Sequence, residues 1–156
     1  MRLVGGLILG LVLAQAAGTS ETRVVRTEFC ELLKRAELYD GKEVTFRTTW
    51  KYGFEWSYVY CVTCRDNGKV WLDFSDDMDD ASQRAINTAQ KDAGIVNLSV
   101  TGVFKTGGSY GHLGGFRHKF IVRKAWDVVV LSKGMKDPTR EKEIEAKWAC
   151  GGKNSK

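Results

Sequence analysis

From Val44 to Val62 every even-numbered residue except Thr48 is apolar or aromatic: Val44, Phe46, Trp50, Tyr52, Phe54, Trp56, Tyr58, Tyr60 and Val62. The odd positions between them, including Thr45, Arg47, Thr49, Lys51, Glu55 and Ser57, are mostly polar. Successive side chains of a strand point to opposite faces, so a period of two dictates β-structure with one buried and one solvated face. A single straight strand over this stretch would reach about 60 Å at roughly 3.3 Å per residue, too long for a small domain. A turn is required, and Tyr52-Gly53-Phe54-Glu55 is where a glycine admits one.

Parity then sets the expected register. A three-residue loop over 53–55 sets Tyr52 against Trp56, Trp50 against Tyr58 and Phe46 against Val62, which keeps one face apolar, whereas a two-residue loop mixes the faces. The same test at Asp66-Asn67-Gly68, with Gly68 left-handed, sets Cys64 opposite Val70, Val62 opposite Leu72 and Tyr60 opposite Phe74. It turns Trp71 and Asp73 outward. The acids Asp76, Asp77, Asp79 and Asp80 precede a helix predicted over 81–91, where they serve better as N-terminal charges than as an EF-hand, since the glycine and later glutamate of that loop are missing. Strands follow over 95–104, with Val96, Leu98, Val100 and Phe104 inward, and over 120–131.

An N-terminal helix is predicted over 28–38, capped by Thr27 and burying Phe29, Leu32, Leu33 and Ala36; Asp40-Gly41 ends it. A closing helix begins at Asp137-Pro138 and ends near Cys150. The expected fold is therefore mainly β, a five-stranded OB-like barrel of order β-β-β-α-β-β with an added helix at each end. An SH3-like barrel has no use for the helix after strand three, and a helix-on-sheet α+β fold is the other competitor.

Residues 1–16 read as a signal peptide, with Arg2 as the positive start, an apolar stretch over 3–13 and Ala14-Gln15-Ala16 as a small-x-small cleavage site. The apolar run is shorter than the roughly 20 residues that span a bilayer. What remains is one OB-like domain with flanking helices over 17–150 and a flexible tail over 151–156. The formal charge of the whole chain is +5, mild enough to allow an acidic partner without demanding one. Secreted or periplasmic placement follows, without integral membrane contact.

The phrases Cys30-Glu31-Leu32-Leu33, Tyr39-Asp40-Gly41-Lys42-Glu43-Val44, Tyr52-Gly53-Phe54-Glu55-Trp56 and Gly111-His112-Leu113-Gly114 resemble uncharacterised secreted bacterial proteins of OB-like fold. The resemblance runs from about Arg26 to Val130. It implies a compartment and a fold and carries no catalytic residues.

The chain has four cysteines, Cys30, Cys61, Cys64 and Cys150. A thioredoxin-like pair needs its first cysteine at a helix start, while Cys61-Val-Thr-Cys64 sits at a strand end, and a zinc site lacks a second paired spacing. Structural bridging suits an exported chain. Cys61 and Cys64, about 10 Å apart if extended, are too distant to pair, so links from Cys30 and Cys150 to this region would staple both helices to the barrel.

The connection 105–119 concentrates five glycines, both histidines, Tyr110, Phe116 and Arg117 between two lysines. In OB barrels this loop helps to form the ligand face, where aromatics stack and cations track acidic groups; the alternative is a long flexible hairpin with solvated charges. His112 and His118 match no metal spacing, Asn97-Leu98-Ser99 matches a glycosylation acceptor, and outward Trp71 either stacks on a ligand or lies beneath Ile144 and Trp148. The expected function is non-catalytic binding of an acidic or saccharide ligand, or of another exported protein, through Trp71, Tyr110, His112, Phe116, Arg117 and His118, with Arg47 and Lys51 as outer-face cations. No catalytic triad, metal set or cofactor motif is present in the sequence. A small hydrolase or thiol-based enzyme around His112, His118 or the cysteine pair is the second reading, and an envelope protein or inhibitor the third.

Overall fold

The computed structural model describes residues 23–61, 64, 68–90, 94–134, 139, 142–144 and 148. The expected signal peptide (1–16), tail (151–156) and the ends of the closing helix at Asp137, Pro138 and Cys150 lie outside these residues. In chain order the elements are β1 (Val25–Arg26), α1 (Phe29–Lys34), α2 (Ala36–Tyr39), β2 (Glu43–Tyr52), β3 (Ser57–Tyr60), β4 (Lys69–Phe74), α3 (Asp80–Ala89), β5 (Gly94–Lys105) and β6 (Lys119–Lys133).

The alternation of β2 survives folding: Val44, Phe46, Thr48, Trp50 and Tyr52 point into the core. Each of β2 to β6 pairs with two others, β2 with β3 and β5, β3 with β4, β4 in parallel with β6, and β6 with β5, so the sheet closes into the expected five-stranded OB-like barrel with α3 between its third and fourth strands. The unforeseen β1 adds a short parallel strand beside β2. At one end α1 inserts Phe29 against Phe46, whose ring meets Phe120 at 4.8 Å. Trp50 fills the interior between Tyr52 and Phe74, and its indole N–H donates to Ser57 Oγ at 3.1 Å, which in turn donates to the Leu72 carbonyl.

Both hairpin registers depart from parity expectation. Tyr52 pairs with Ser57 and Trp50 with Val59, so the first loop has four residues, closed by the Gly53 N–H donating to the Trp56 carbonyl. That one-residue difference exchanges the faces of β3: Val59 enters the core, and Tyr58 and Tyr60 stand on the other side of the strand, Tyr58 half-buried and Tyr60 buried. The second connection occupies residues 61–68, with Tyr60 opposite Lys69 and Val59 opposite Val70 in place of the expected Tyr60–Phe74 and Cys64–Val70 pairs. The Val62–Leu72 pair falls outside the described residues. The chain leaves the ladder because Cys64 turns back, its N–H donating to the Cys61 carbonyl, and bridges to Cys30 of α1 across a Cα separation of 5.3 Å.

The N-terminal helix is broken where one continuous helix was expected. Arg35, at φ −124° and ψ 38°, separates α1 from α2, which turns Ala36 onto the core and brings the Tyr39 hydroxyl within 3.4 Å of Thr27 Oγ1. Glu28, not Thr27, occupies the cap position. In α3, by contrast, Asp79 caps as its chemistry demands, its carboxylate accepting from the Ser82 N–H and hydroxyl at 2.9 Å each. Those bonds hold the Asp79 carboxyl below its ordinary pKa, the backbone bond first. Thr139 and residues 142–144 are helical, and the Trp148 carbonyl accepts from Thr49 Oγ1 on the outer side of β2.

Candidate functional site

The outer faces of β3 and β4 carry an ordered row. Lys51, Tyr58, Trp71 and Lys119 are successive cross-strand neighbours on β2, β3, β4 and β6, so a cation stands at each end of two aromatics. The register of β3 places Tyr58 here, and that same register is what the three-residue-loop reading missed.

Across this row lies the connection 106–118, and it is built rather than loose. Tyr110 and Phe116 exchange backbone hydrogen bonds at 2.8 and 3.1 Å, closing a small hairpin whose tip, His112–Gly114, is a tight turn with Leu113 at φ +55°. The Trp71 N–H donates to the His118 carbonyl at 3.0 Å. Phe116 packs on Trp71 and Tyr58, with ring centroids 5.3 and 5.8 Å apart. Gly111, at φ +71°, lies so close to the Trp71 indole that a Cβ there would sit 2.3 Å from the ring. Among the described residues, Trp71 is therefore covered by this loop.

Charge is arranged around the rings. The Asp73 carboxylate accepts from the Trp71 indole N–H at 2.7 Å and pairs with Lys119 at 3.2 Å, which orients both. Lys119 also lies 5.3 Å from the centre of the Tyr110 ring, and Lys69, an exposed residue, 4.9 Å from that of Tyr58. Lysine heads held over ring faces present fixed positive charge. At the loop tip His112 reaches Glu55 at 3.9 Å, joining this loop to the turn after β2. On either side of that contact stand Phe54 and Leu113, 99% and 91% exposed, at the extreme tips of the two loops.

The remaining expected residues separate. Arg117 points away from Phe116 and pairs with Glu37 near the end of α2 at 3.8 Å. His118 stacks on Phe104 and shares a 2.7 Å hydrogen bond between its Nδ1 and the Thr106 hydroxyl; burial, then the neighbouring Arg117, pushes its pKa below the usual histidine value. Arg47 belongs to a different cluster on β2 and β5, where its guanidinium donates to Asn97 Oδ1 at 2.7 Å and Ser99 and approaches Asp127 at 3.6 Å. Asn97 is fully buried and also donates to the Thr48 carbonyl, so it is closed to glycosylation in the folded chain.

The Sγ atoms of Cys30, Cys61 and Cys64 lie within 4.8 Å of one another. Cys30 and Cys64 are bonded to each other, Cys61 is also disulfide-bonded, and no described cysteine is a free thiol. No helix of the described residues is long and apolar enough to cross a membrane. Comparison with family models, with curated proteins and with solved structures returns no match, so no residue role reaches this chain from a relative.

Proposed function

We propose that the chain is a non-catalytic binding domain of an exported protein, and that it takes an acidic ligand, such as an anionic polysaccharide, on the outer face of β3 and β4 beside the 106–118 loop. One observation carries the reading: two lysines, Lys69 and Lys119, are held over tyrosine rings on the face flanked by the two loops that OB barrels use for oligomeric ligands. Because those ring faces are already occupied, recognition falls to the ammonium groups and to hydrogen bonding at ring edges rather than to deep base stacking. The Cys30–Cys64 bridge suits an oxidising compartment and supports export.

The test is a panel of acidic polysaccharides, their neutral counterparts and single-stranded oligonucleotides, read by thermal shift and then titrated at rising salt. A polyanion should raise the apparent stability, and the rise should shrink with salt. Lys69→Ala combined with Lys119→Ala should weaken binding about tenfold or more while leaving the ligand-free melt nearly unchanged. A hit that survives the double substitution places the ligand elsewhere, and equal response to charged and neutral polymers removes the acidic reading.

A further inference from the structure

Two neighbouring loop tips carry the most exposed large hydrophobic side chains of the described residues, Phe54 at 99% and Leu113 at 91%. The tips meet through the chain neighbours of these residues, Glu55 and His112, at 3.9 Å. Neither loop is slack. The Gly53 N–H donates to the Trp56 carbonyl at 2.9 Å, and the Trp56 ring lies so close to Gly53 that a Cβ there would come within 2.5 Å of it. In the facing loop the Gly114 and Gly115 N–H groups donate to the Gly111 and His112 carbonyls at 3.1 and 3.3 Å.

Leu113 sits in the left-handed region, at φ +55° and ψ 18°, between Gly111 at φ +71° and Gly114 at φ +65°. A bulky side chain costs backbone energy there, and glycine or asparagine is the usual occupant. The leucine forgoes that ease and, at 91% exposure, buries almost nothing in return. Strain held on an exposed apolar residue points to something outside the chain. Whatever meets the tips must take two apolar points and little else, since glycines 53, 111, 114 and 115 surround them. Two side chains fall far short of the roughly 800 Å² a side that a stable protein interface buries. A bilayer, by contrast, asks only for apolar apices above a collar of aromatics and lysines. Such a collar is present: Lys51 lies three residues before Phe54, and Phe116, three residues after Leu113, packs on Tyr58 and on Trp71, the cross-strand neighbour of Lys119. Glu55 and Asp73 are set against His112 and Lys119.

We propose that Phe54 and Leu113 insert together into the interfacial layer of a lipid surface, holding the barrel there peripherally by its paired loop tips. The strands stay outside the hydrocarbon, so no spanning segment is needed. The apolar tips supply the insertion, and the lysines of the collar meet anionic headgroups. Insertion driven by apolar area survives salt that strips a purely electrostatic attachment. The contact is separate from the acidic-ligand reading and stands or falls without it.

Phe54→Trp, at a site exposed enough to accept the change, reads the tip directly in the full chain mixed with vesicles of three parts phosphatidylcholine to one part phosphatidylglycerol. Its emission, taken as the difference from the native chain, should shift to the blue on vesicles and be quenched when the acyl chains carry bromine, at low and high salt alike. Adding Leu113→Gly should raise the lipid concentration at half-shift about tenfold. The same change should leave the lipid-free melt equal or raised, since glycine relieves the left-handed backbone, so a folding defect does not explain the loss. Lys69→Ala with Lys119→Ala tests the acidic-ligand reading and should leave the shift at high salt unchanged. A tip tryptophan that stays in water while the chain sediments with vesicles places the contact on the apolar run over 3–13 and overturns the proposal. So does a chain that ignores vesicles, a shift that disappears at high salt, or one indifferent to Leu113→Gly.

Discussion

At the scale of single residues, the loop over Trp71 depends on one missing methyl group. Gly111 holds a positive φ and touches the indole, so Gly111→Ala meets both a strained backbone and a clash with a ring that Asp73 has fixed in place. The expected result is a loop that lifts, seen as a red shift and loss of near-ultraviolet dichroism from Trp71, with a stability loss of about 1–3 kcal/mol. His118 gives a second expectation, with a definite sign. Its folded pKa lies below the unfolded value of 6.5, so the unfolded chain binds the proton first. Stability is complete above pH 6.5 and falls as the pH drops through that value toward the lower folded pKa. Urea midpoints between pH 8 and 5 should show the decline, and His118→Gln should remove it; a midpoint that stays flat in the native chain contradicts the burial argument. The lowered carboxyls of Glu31, Asp77 and Asp79 act in a separate window, below about pH 4.5.

At the scale of elements, α3 is tied to the barrel at both ends by hydroxyls, Ser82 near its start and, near its end, Tyr52 of β2, which donates to the Ala89 carbonyl. Ser82 Oγ donates to the capping Asp79 and accepts the Ala125 amide, so Ser82→Ala orphans a buried N–H as well as loosening the cap. A cost of about 1–3 kcal/mol is expected in urea unfolding, against little change for Ser82→Thr if the added methyl group is accommodated. The cross-link between α1 and the turn after β3 is checked by non-reducing peptide mapping. It should recover Cys30 joined to Cys64 and, since the chain has four cysteines and Cys61 is also bridged, Cys61 joined to Cys150. These elements also mark where the sequence could be read and where it could not. The strands of the barrel and the helix after β4 were legible because β2 and β5 alternate cleanly and Asp79 is a strong cap. The face of β3 was not, because keeping its tyrosines on the apolar face of β2 favours an odd loop, whereas the four-residue loop buries Val59 and sets Tyr58 beside Lys51 and Tyr60 beside Thr49. Tyr58 was missed as a site residue for that reason, whereas Lys69 and Asp73 share the outward parity of Trp71 and were missed because their contacts with Tyr58 and Lys119 depend on the strand register. The loop 106–118 stood out by composition, but its docking on Trp71 rests on the close approach of Gly111, which no periodicity encodes.

At the scale of the whole molecule, one core joins every layer: Phe29 of α1, Phe46 of β2, Phe120 of β6 and Ile86 of α3 belong to the same buried cluster. Among the described residues, α1, α3 and the barrel strands share this core, so their unfolding should be a single transition by all probes. Burial alone should then decide what equal chemical truncations cost. Leu72 is 1% exposed and Leu38 59%, and Leu→Ala removes the same atoms from each. Leu72→Ala opens a cavity between the strands and should cost about 2–5 kcal/mol, a large share of the roughly 5–15 kcal/mol that holds a domain together. Leu38→Ala, on the surface of a short helix where alanine is the better helix former, should stay within about 0.5 kcal/mol of the native chain. Urea unfolding with tryptophan fluorescence and far-ultraviolet dichroism recorded on the same samples measures both, and the slopes should be unchanged if the denatured state is untouched. Comparable losses from the two substitutions would mean that α2 is as much a part of the core as β4, and non-coincident transitions would mean that the helices and the barrel do not share one.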